Sequence, residues 1–151
     1  LAQAPPGAIP VVGCKADRNC ARMGSIKLNA FKKLGFGGGV LDAAHRDTEE
    51  LLALGFPVYS VGSNPNGPTK YVPGRINWPI SCGGVAISAG DIRVGDRDGV
   101  VAVPRDEAAK VVERLEHGKK KEAEAEARVK KGIKLKFWDP DALGSRLNYI
   151  D

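Results

Sequence analysis

Arg46, Asp47 and Glu50 fall within one five-residue stretch, just past a short apolar run. An arginine presents a planar fork of N–H donors suited to a carboxylate ligand. An aspartate is a hard oxygen donor, and Mg2+ needs few of these because it keeps several waters. Asp47 and Glu50 are three positions apart, so they share a face if a helix begins here. A hard cation, an arginine and neighbouring acids suit chemistry on an oxo acid. Spacing alone leaves a plainer reading open: a surface ion pair, with Asp47 as the N-cap of the helix. Asp42, at the end of the same run, either orients Arg46 or is satisfied by backbone amides.

Something must carry these side chains to one place. Gly37 to Leu41 reads as entry into a buried strand that delivers them at its exposed end. Thr48 to Leu54 reads as a short helix stopped by Gly55, followed by a strand over Pro57–Val61 and a turn cluster over Ser63–Gly67. Upstream, Leu1 to Gly7 reads as a helix end and a Pro-Pro-Gly turn, and Ile9–Val12 as a buried strand. Ser25–Leu34 has helical spacing, with Gly35 as its stop.

From Ile76 the pattern turns to β. Val85 and Ile87 alternate, then Ile92 and Val94, with Asp- and Gly-rich turns between, so a meander is expected. The continuous run Val100–Val103 fits a core strand. Asp106 then starts a helix with an apolar stripe at Ala108, Val111, Val112 and Leu115, which Gly118 is expected to break or bend. This divides the chain into an α/β core over 1–117 and a charged helix with a docking tail over 118–151, the tail centred on Phe137-Trp138-Asp139-Pro140.

Composition narrows the partners. At 151 residues, 42% of them hydrophobic and 27% charged, the chain reads as one globular domain with a real core. No apolar run approaches the roughly 20 residues that span a bilayer, and no secretory signal is evident, so no membrane partner is expected. Cys14, Cys20 and Cys82 form no close pair, which argues against a disulfide framework or zinc site and for a reducing, cytoplasmic setting. The net charge of +5 gathers in Lys119–Lys136, where Glu122, Glu124 and Glu126 interleave as on a solvated helix. Without a stacking pattern or recognition module, no nucleic-acid partner is expected. Asp91, Asp96 and Asp98 read as hairpin turns rather than a calcium loop, and Cys82 as a core residue rather than a nucleophile. Gly35 to Gly39 lacks the GK[ST] of a phosphate loop. Trp78 and Trp138 read as core or interface anchors. The only Met is Met23, so the sequence is expected to be processed, cut from something longer, or partial.

Gly38-Gly39-Val40-Leu41-Asp42-Ala43-Ala44-His45-Arg46-Asp47 resembles a signature segment of the RraA-like family. That family includes the regulator of ribonuclease E activity and divalent-metal-dependent 4-hydroxy-4-methyl-2-oxoglutarate aldolases. The likeness continues through Leu54–Tyr59, Asn77–Val85 and Gly90–Pro104, in matching order and spacing. It implies a layered α/β/α sandwich of the RraA-like type, related to phosphohistidine swivelling domains. The N-terminal part of that fold is expected to be missing here. Assembly as a homotrimer or homohexamer is implied as well.

The resemblance also implies roles. Asp47 would hold Mg2+ or Mn2+ partly through waters, Arg46 would bind a carbonyl or enolate oxygen, and Glu50 would order metal-bound water. Backbone N–H groups of Gly24-Ser25-Ile26-Lys27 would hold the pyruvyl carboxylate of a small oxo-acid substrate. Ser25 stands where the family has Glu, Lys27 where it has Leu, and Ala43 where it has Gly. His45 replaces an apolar residue, so packing or exposure is expected of it rather than acid–base work. The implied activity is an aldolase that cleaves a 4-hydroxy-2-oxo acid to pyruvate, with oxaloacetate decarboxylation beside it. The alternative is a non-catalytic regulator that binds a ribonuclease or other protein. Glu50 favours the enzyme; the Lys-rich C-terminal segment favours the regulator.

Overall fold

The computed structural model describes residues 4–71 and 73–133. Its first half alternates strand and helix: β1 (Val11–Met23), α1 (Ser25–Lys33), β2 (Gly39–His45), α2 (Thr48–Leu54) and β3 (Val58–Ser63). The three strands form one parallel sheet in the order β1-β2-β3. Parallel neighbours cannot be joined by a tight turn, and α1 and α2 supply the crossovers. The central strand β2 is the most buried; Leu41, Ala43 and Ala44 are almost fully enclosed. Buried on both faces, it reads as an apolar run interrupted by Asp42 rather than as an alternating strand.

Both helices press into one apolar cluster of Leu28, Phe31, Phe36, Leu51 and Phe56. The Phe31 and Phe36 rings are tilted at a centroid distance of 5.2 Å, a favoured aromatic geometry. Lys32 Nζ donates to the carbonyl of Leu54 at 2.6 Å and ties the two helices together. Gly55 closes α2 in the left-handed region, φ 60°, as its position predicts.

The first strand is longer than Ile9–Val12 suggests. It runs to Met23 by bulging: β1 advances from Val12 to Asp17 while β2 advances only from Leu41 to Ala43. Lys15 and Ala16 take positive φ of 57° and 54° there. Such a bulge breaks the two-residue period, so the sequence carries no strand signal across it. Asp42, buried on β2, holds it in place. Its Oδ2 accepts the Ala16 N–H at 3.0 Å and its Oδ1 accepts the Gly83 N–H at 3.2 Å. Of the two readings of Asp42, the backbone-amide one is correct.

The later β region is two separate antiparallel hairpins rather than a meander: β4 (Ile80–Cys82) with β5 (Val85–Ile87), and β6 (Ile92–Gly95) with β7 (Val100–Val103). A two-stranded ribbon buries little by itself, and Val101 is 62% exposed. Val100–Val103 is therefore a strand but not a core strand. The acidic turns behave as expected: Asp96 Oδ1 accepts the Asp98 and Gly99 N–H groups, and Asp91 Oδ2 accepts that of Ser88. Trp78 is not in the core; it is exposed, with the Arg75 guanidinium 4.5 Å from its ring centroid.

A 3-10 turn, Arg105–Glu107, leads into α3 (Ala108–Lys130), which continues through Gly118 without a break. A glycine in an exposed helix costs only about 1 kcal/mol relative to alanine, too little to stop it. No described residue of α3 is buried. By packing, the chain divides into Leu1–Glu107 and Ala108–Asp151. The Phe137–Pro140 segment and Trp138 lie outside the described residues, as do Leu1–Gln3. Among the described residues no helix is long and apolar enough to cross a membrane.

Candidate active site at the carboxyl edge of the parallel sheet

Parallel α/β sheets bind ligands beyond the carboxyl ends of their strands, and three such ends meet here. Gly24 and Ser25 follow β1 and open α1, Arg46 and Asp47 follow β2, and Asn64 to Gly67 follow β3. The backbone joins them: Arg46 N–H donates to the Met23 carbonyl at 3.1 Å, and Asn64 N–H to the His45 carbonyl at 2.9 Å.

The N-terminus of α1 has no cap of its own, since Gly24 has no side chain and the first turn carries no acid. Asp47 caps it from the next loop. Its Oδ2 accepts the Ser25 N–H at 2.9 Å and the Ser25 hydroxyl at 3.1 Å. Asp47 occupies the N-cap position of α2 yet makes no side-chain cap there. Its backbone is left-handed, φ 62° and ψ 49°, a conformation uncommon outside glycine. The plain N-cap reading of Asp47 therefore fails on geometry: the position is that of an N-cap, but the backbone is left-handed rather than extended and the carboxylate points to Ser25.

Arg46 Nε lies 3.9 Å from Asp47 Oδ2, and both side chains are partly exposed. A pair this loose is worth under about 1 kcal/mol and leaves guanidinium donors for a ligand. Two glycines make room. A Cβ on Gly24 would strike Asp47 Oδ2 and approach Arg46 Cγ to 2.9 Å; one on Gly67 would meet Arg46 Nη1 at 3.0 Å. Gly67 is held there by its neighbours. Asn64 Nδ2 donates to the Arg18 carbonyl at 2.9 Å, and Ala21 N–H to the Asn66 carbonyl at 2.8 Å.

The structure thus brings Gly24, Ser25, Arg46 and Asp47 together. It does not join Glu50 to them: Glu50 lies exposed on α2, with no hydrogen bond or ion pair to Asp47. Ile26 and Lys27 project outward from the first turn of α1, and their N–H groups belong to the set without intrahelical partners. Two features escape the sequence reading. One is the Asn64–Gly67 turn against Arg46, which the Asn-Pro-Asn-Gly cluster signals without saying what it touches. The other is His45, half-buried, whose ring nitrogens meet Ser60 Oγ at 2.8 Å and Thr48 Oγ1 at 3.0 Å.

Among the described residues no group of three or more His, Cys, Asp and Glu side chains is placed to hold a metal. An ion here would rest on one protein carboxylate, and one carboxylate beside an arginine fits a water-rich Mg2+ or Mn2+ ion. The thiols are not activated. Burial pushes those of Cys14 and Cys82 above their ordinary range, as suits small packing residues. An open cleft lined by Ala86, Ser88, Asp91, Pro104, Arg105 and Asp106 shares no residue with this edge. The candidate site is placed at Arg46–Asp47 because residues from three strand ends meet there.

A family model described as Aldolase/RraA matches residues 1–102. The chain belongs to the RraA-like family. A Halalkalibacterium halodurans protein named "Putative 4-hydroxy-4-methyl-2-oxoglutarate aldolase" is 42% identical over 126 residues, 83% of this chain and 59% of that protein. An uncharacterized Methanocaldococcus jannaschii protein is 36% identical over 113 residues, 75% of this chain and 54% of its own length. The chain therefore spans less than two thirds of these RraA-like relatives. Among solved structures, Streptomyces coelicolor RraAS2, described as an unusual member of the RNase ES inhibitor RraA family, superposes with a TM-score of 0.78 at 28% identity. That match covers 83% of this chain and 65% of RraAS2. An uncharacterized Pseudomonas syringae protein gives 0.77 at 26%, covering 87% and 66%. The RraA-like α/β fold is thereby shown.

Proposed function

We propose that this chain carries the catalytic edge of a divalent-metal-dependent aldolase that cleaves a 4-hydroxy-2-oxo acid and releases pyruvate, with oxaloacetate decarboxylation as a side activity. One observation carries the reading: Arg46 and Asp47 lie against the N-terminus of α1, so a cation ligand, an enolate donor and an anion-binding helix end adjoin. The 42% identity to the protein named as an aldolase supports it.

The substrate carboxylate lies at the α1 N-terminus, where helical N–H groups and the dipole favour an anion. The Ser25 N–H is engaged by Asp47, which leaves those of Ile26 and Lys27. Arg46 donates to the C2 oxygen, where negative charge gathers as the C3–C4 bond breaks. Loss of one such donor costs about 3–4 kcal/mol in other enzymes. Glu50, exposed on α2 and not joined to Asp47, would act only at one remove, by ordering a water that takes the C4 hydroxyl proton and returns a proton to C3. When bound, Mg2+ or Mn2+ held by Asp47 supplies Lewis-acid stabilisation of the same charge. Decarboxylation of oxaloacetate gives the same enolate and uses the same donors.

Asp47→Ala is expected to abolish Mg2+-stimulated pyruvate release while the circular dichroism spectrum stays that of the wild type. Undiminished turnover in that variant would sink the assignment. The likeness to RraAS2 favours a second reading, a regulator that binds a ribonuclease or other protein. Capture of a ribonuclease with no metal-dependent turnover would replace the first reading with this one. The proposal also includes a homotrimer or homohexamer in the cytoplasm, the oligomer being measurable by light scattering.

A further inference from the structure

We propose that His45 is a positioning residue for this site, acting through the backbone of Arg46 and Asp47. His45 is the last residue of β2, and its ring reaches in two directions. Nδ1 lies 2.8 Å from Ser60 Oγ on β3, and Nε2 lies 3.0 Å from Thr48 Oγ1, the first residue of α2. Ser60 Oγ donates its own proton to the Gly62 carbonyl at 3.3 Å. It therefore accepts from His45, which puts the ring proton on Nδ1. In the neutral ring Nε2 is left as an acceptor for the Thr48 hydroxyl.

The His45–Thr48 bond closes a loop whose only intervening residues are Arg46 and Asp47. Asp47 holds left-handed backbone that an aspartate does not favour by itself. Such a conformation persists only where its surroundings fix it. Asp47 O accepts the Leu51 N–H at 3.0 Å, and Arg46 N–H reaches the Met23 carbonyl at 3.1 Å. Those two bonds fix the ends of the bend. The imidazole supplies the cross-link over it and ties it to β3. Release of the cross-link lets the bend relax, and both the Arg46 guanidinium and the Asp47 carboxylate turn with it.

The kinetic consequence rests on the aldolase reading; the structural one does not. Two readouts on the full chain separate them. The first is exchange of the Ser25 amide proton by NMR, because Asp47 Oδ2 accepts that proton. His45→Leu and Thr48→Val are expected to speed its exchange at least about tenfold, with Phe31 and Leu41 amides unchanged. His45→Gln, whose amide oxygen reaches the place of Nε2 and can accept the Thr48 hydroxyl, restores protection; His45→Asn, which reaches only the place of Nδ1, does not. The second readout is Mg2+-dependent pyruvate release, where kcat falls about ten- to a hundredfold with KM within about threefold. Unchanged Ser25 exchange in folded Thr48→Val protein overturns the proposal. If His45→Leu unfolds, Thr48→Val and His45→Gln decide alone. A wild-type protein without pyruvate release removes the aldolase reading, and the Ser25 amide still decides the role of His45.

Discussion

Asp17 shows how local hydrogen bonding sets a charge state in this chain. The Asn19 N–H, then the Cys20 thiol and the Arg22 guanidinium, hold its carboxyl below the ordinary value of 3.8. Arg22 Nη2 approaches Asp17 Oδ2 to 2.6 Å. A carboxyl whose folded value is depressed adds stability above its unfolded value, and that stability is lost as pH falls through the folded value. Asp17→Asn is thus expected to lower the urea midpoint at neutral pH. The gap to wild type should close as the solution is acidified below 3.8. A gap that widens on acidification would show that Asp17 is not ionised by these bonds. The same residue scale shows what spacing can and cannot tell. Arg46 and Asp47 were legible as a pair because adjacency forces them together. Glu50 was legible only as a helix neighbour, and the fold leaves it in solvent, unjoined to Asp47. The sequence suggests packing or exposure for His45, whereas its ring is a two-ended hydrogen-bonding brace.

At the scale of elements, helix signals were the more readable. Ser25–Lys33 and Thr48–Leu54 fall where apolar spacing and the glycines that follow them put them. Strand β1 was mostly missed, because a bulge held by a residue 26 positions away leaves no mark on local periodicity. That dependence can be tested. Asp42→Ala removes the acceptor for two backbone N–H groups, those of Ala16 and Gly83. Ala16 and Gly83 are themselves exposed, so water can reach their N–H groups, and the loss is expected to be about 1–3 kcal/mol in all, measured by denaturant unfolding. Retained wild-type stability would mean that the bulge holds itself. The run Val100–Val103 misled for the opposite reason: apolar sequence argues for burial, but burial needs a covering layer, and hairpin β6–β7 has little among the described residues.

Across the whole molecule, stability is unevenly spread. The enclosed groups gather on β2 and in the Leu28–Phe31–Phe36–Leu51–Phe56 cluster, whereas no described residue of α3 is buried. Amide exchange follows that distribution, since protected amides need buried surroundings. The slowest amides are expected at Leu41, Ala43 and Leu28, and those of α3 should exchange faster by orders of magnitude. Equal protection in α3 and β2 would contradict the division into Leu1–Glu107 and Ala108–Asp151.

The sequence by itself determined the α/β class, the two crossover helices, the acidic turns and the Arg46–Asp47 pair. Each is a local property, set by periodicity, turn chemistry or adjacency, and the resemblance to the RraA-like family was carried by contiguous blocks of residues. Only the tertiary structure decided where the Asp47 carboxylate points, that Gly24 and Gly67 leave room for Arg46, and that Asp42 serves the bulge of β1. Those facts depend on groups from different strand ends meeting at one edge of the sheet. Their contacts join residues as much as 46 positions apart, a separation over which no periodicity in the chain carries information.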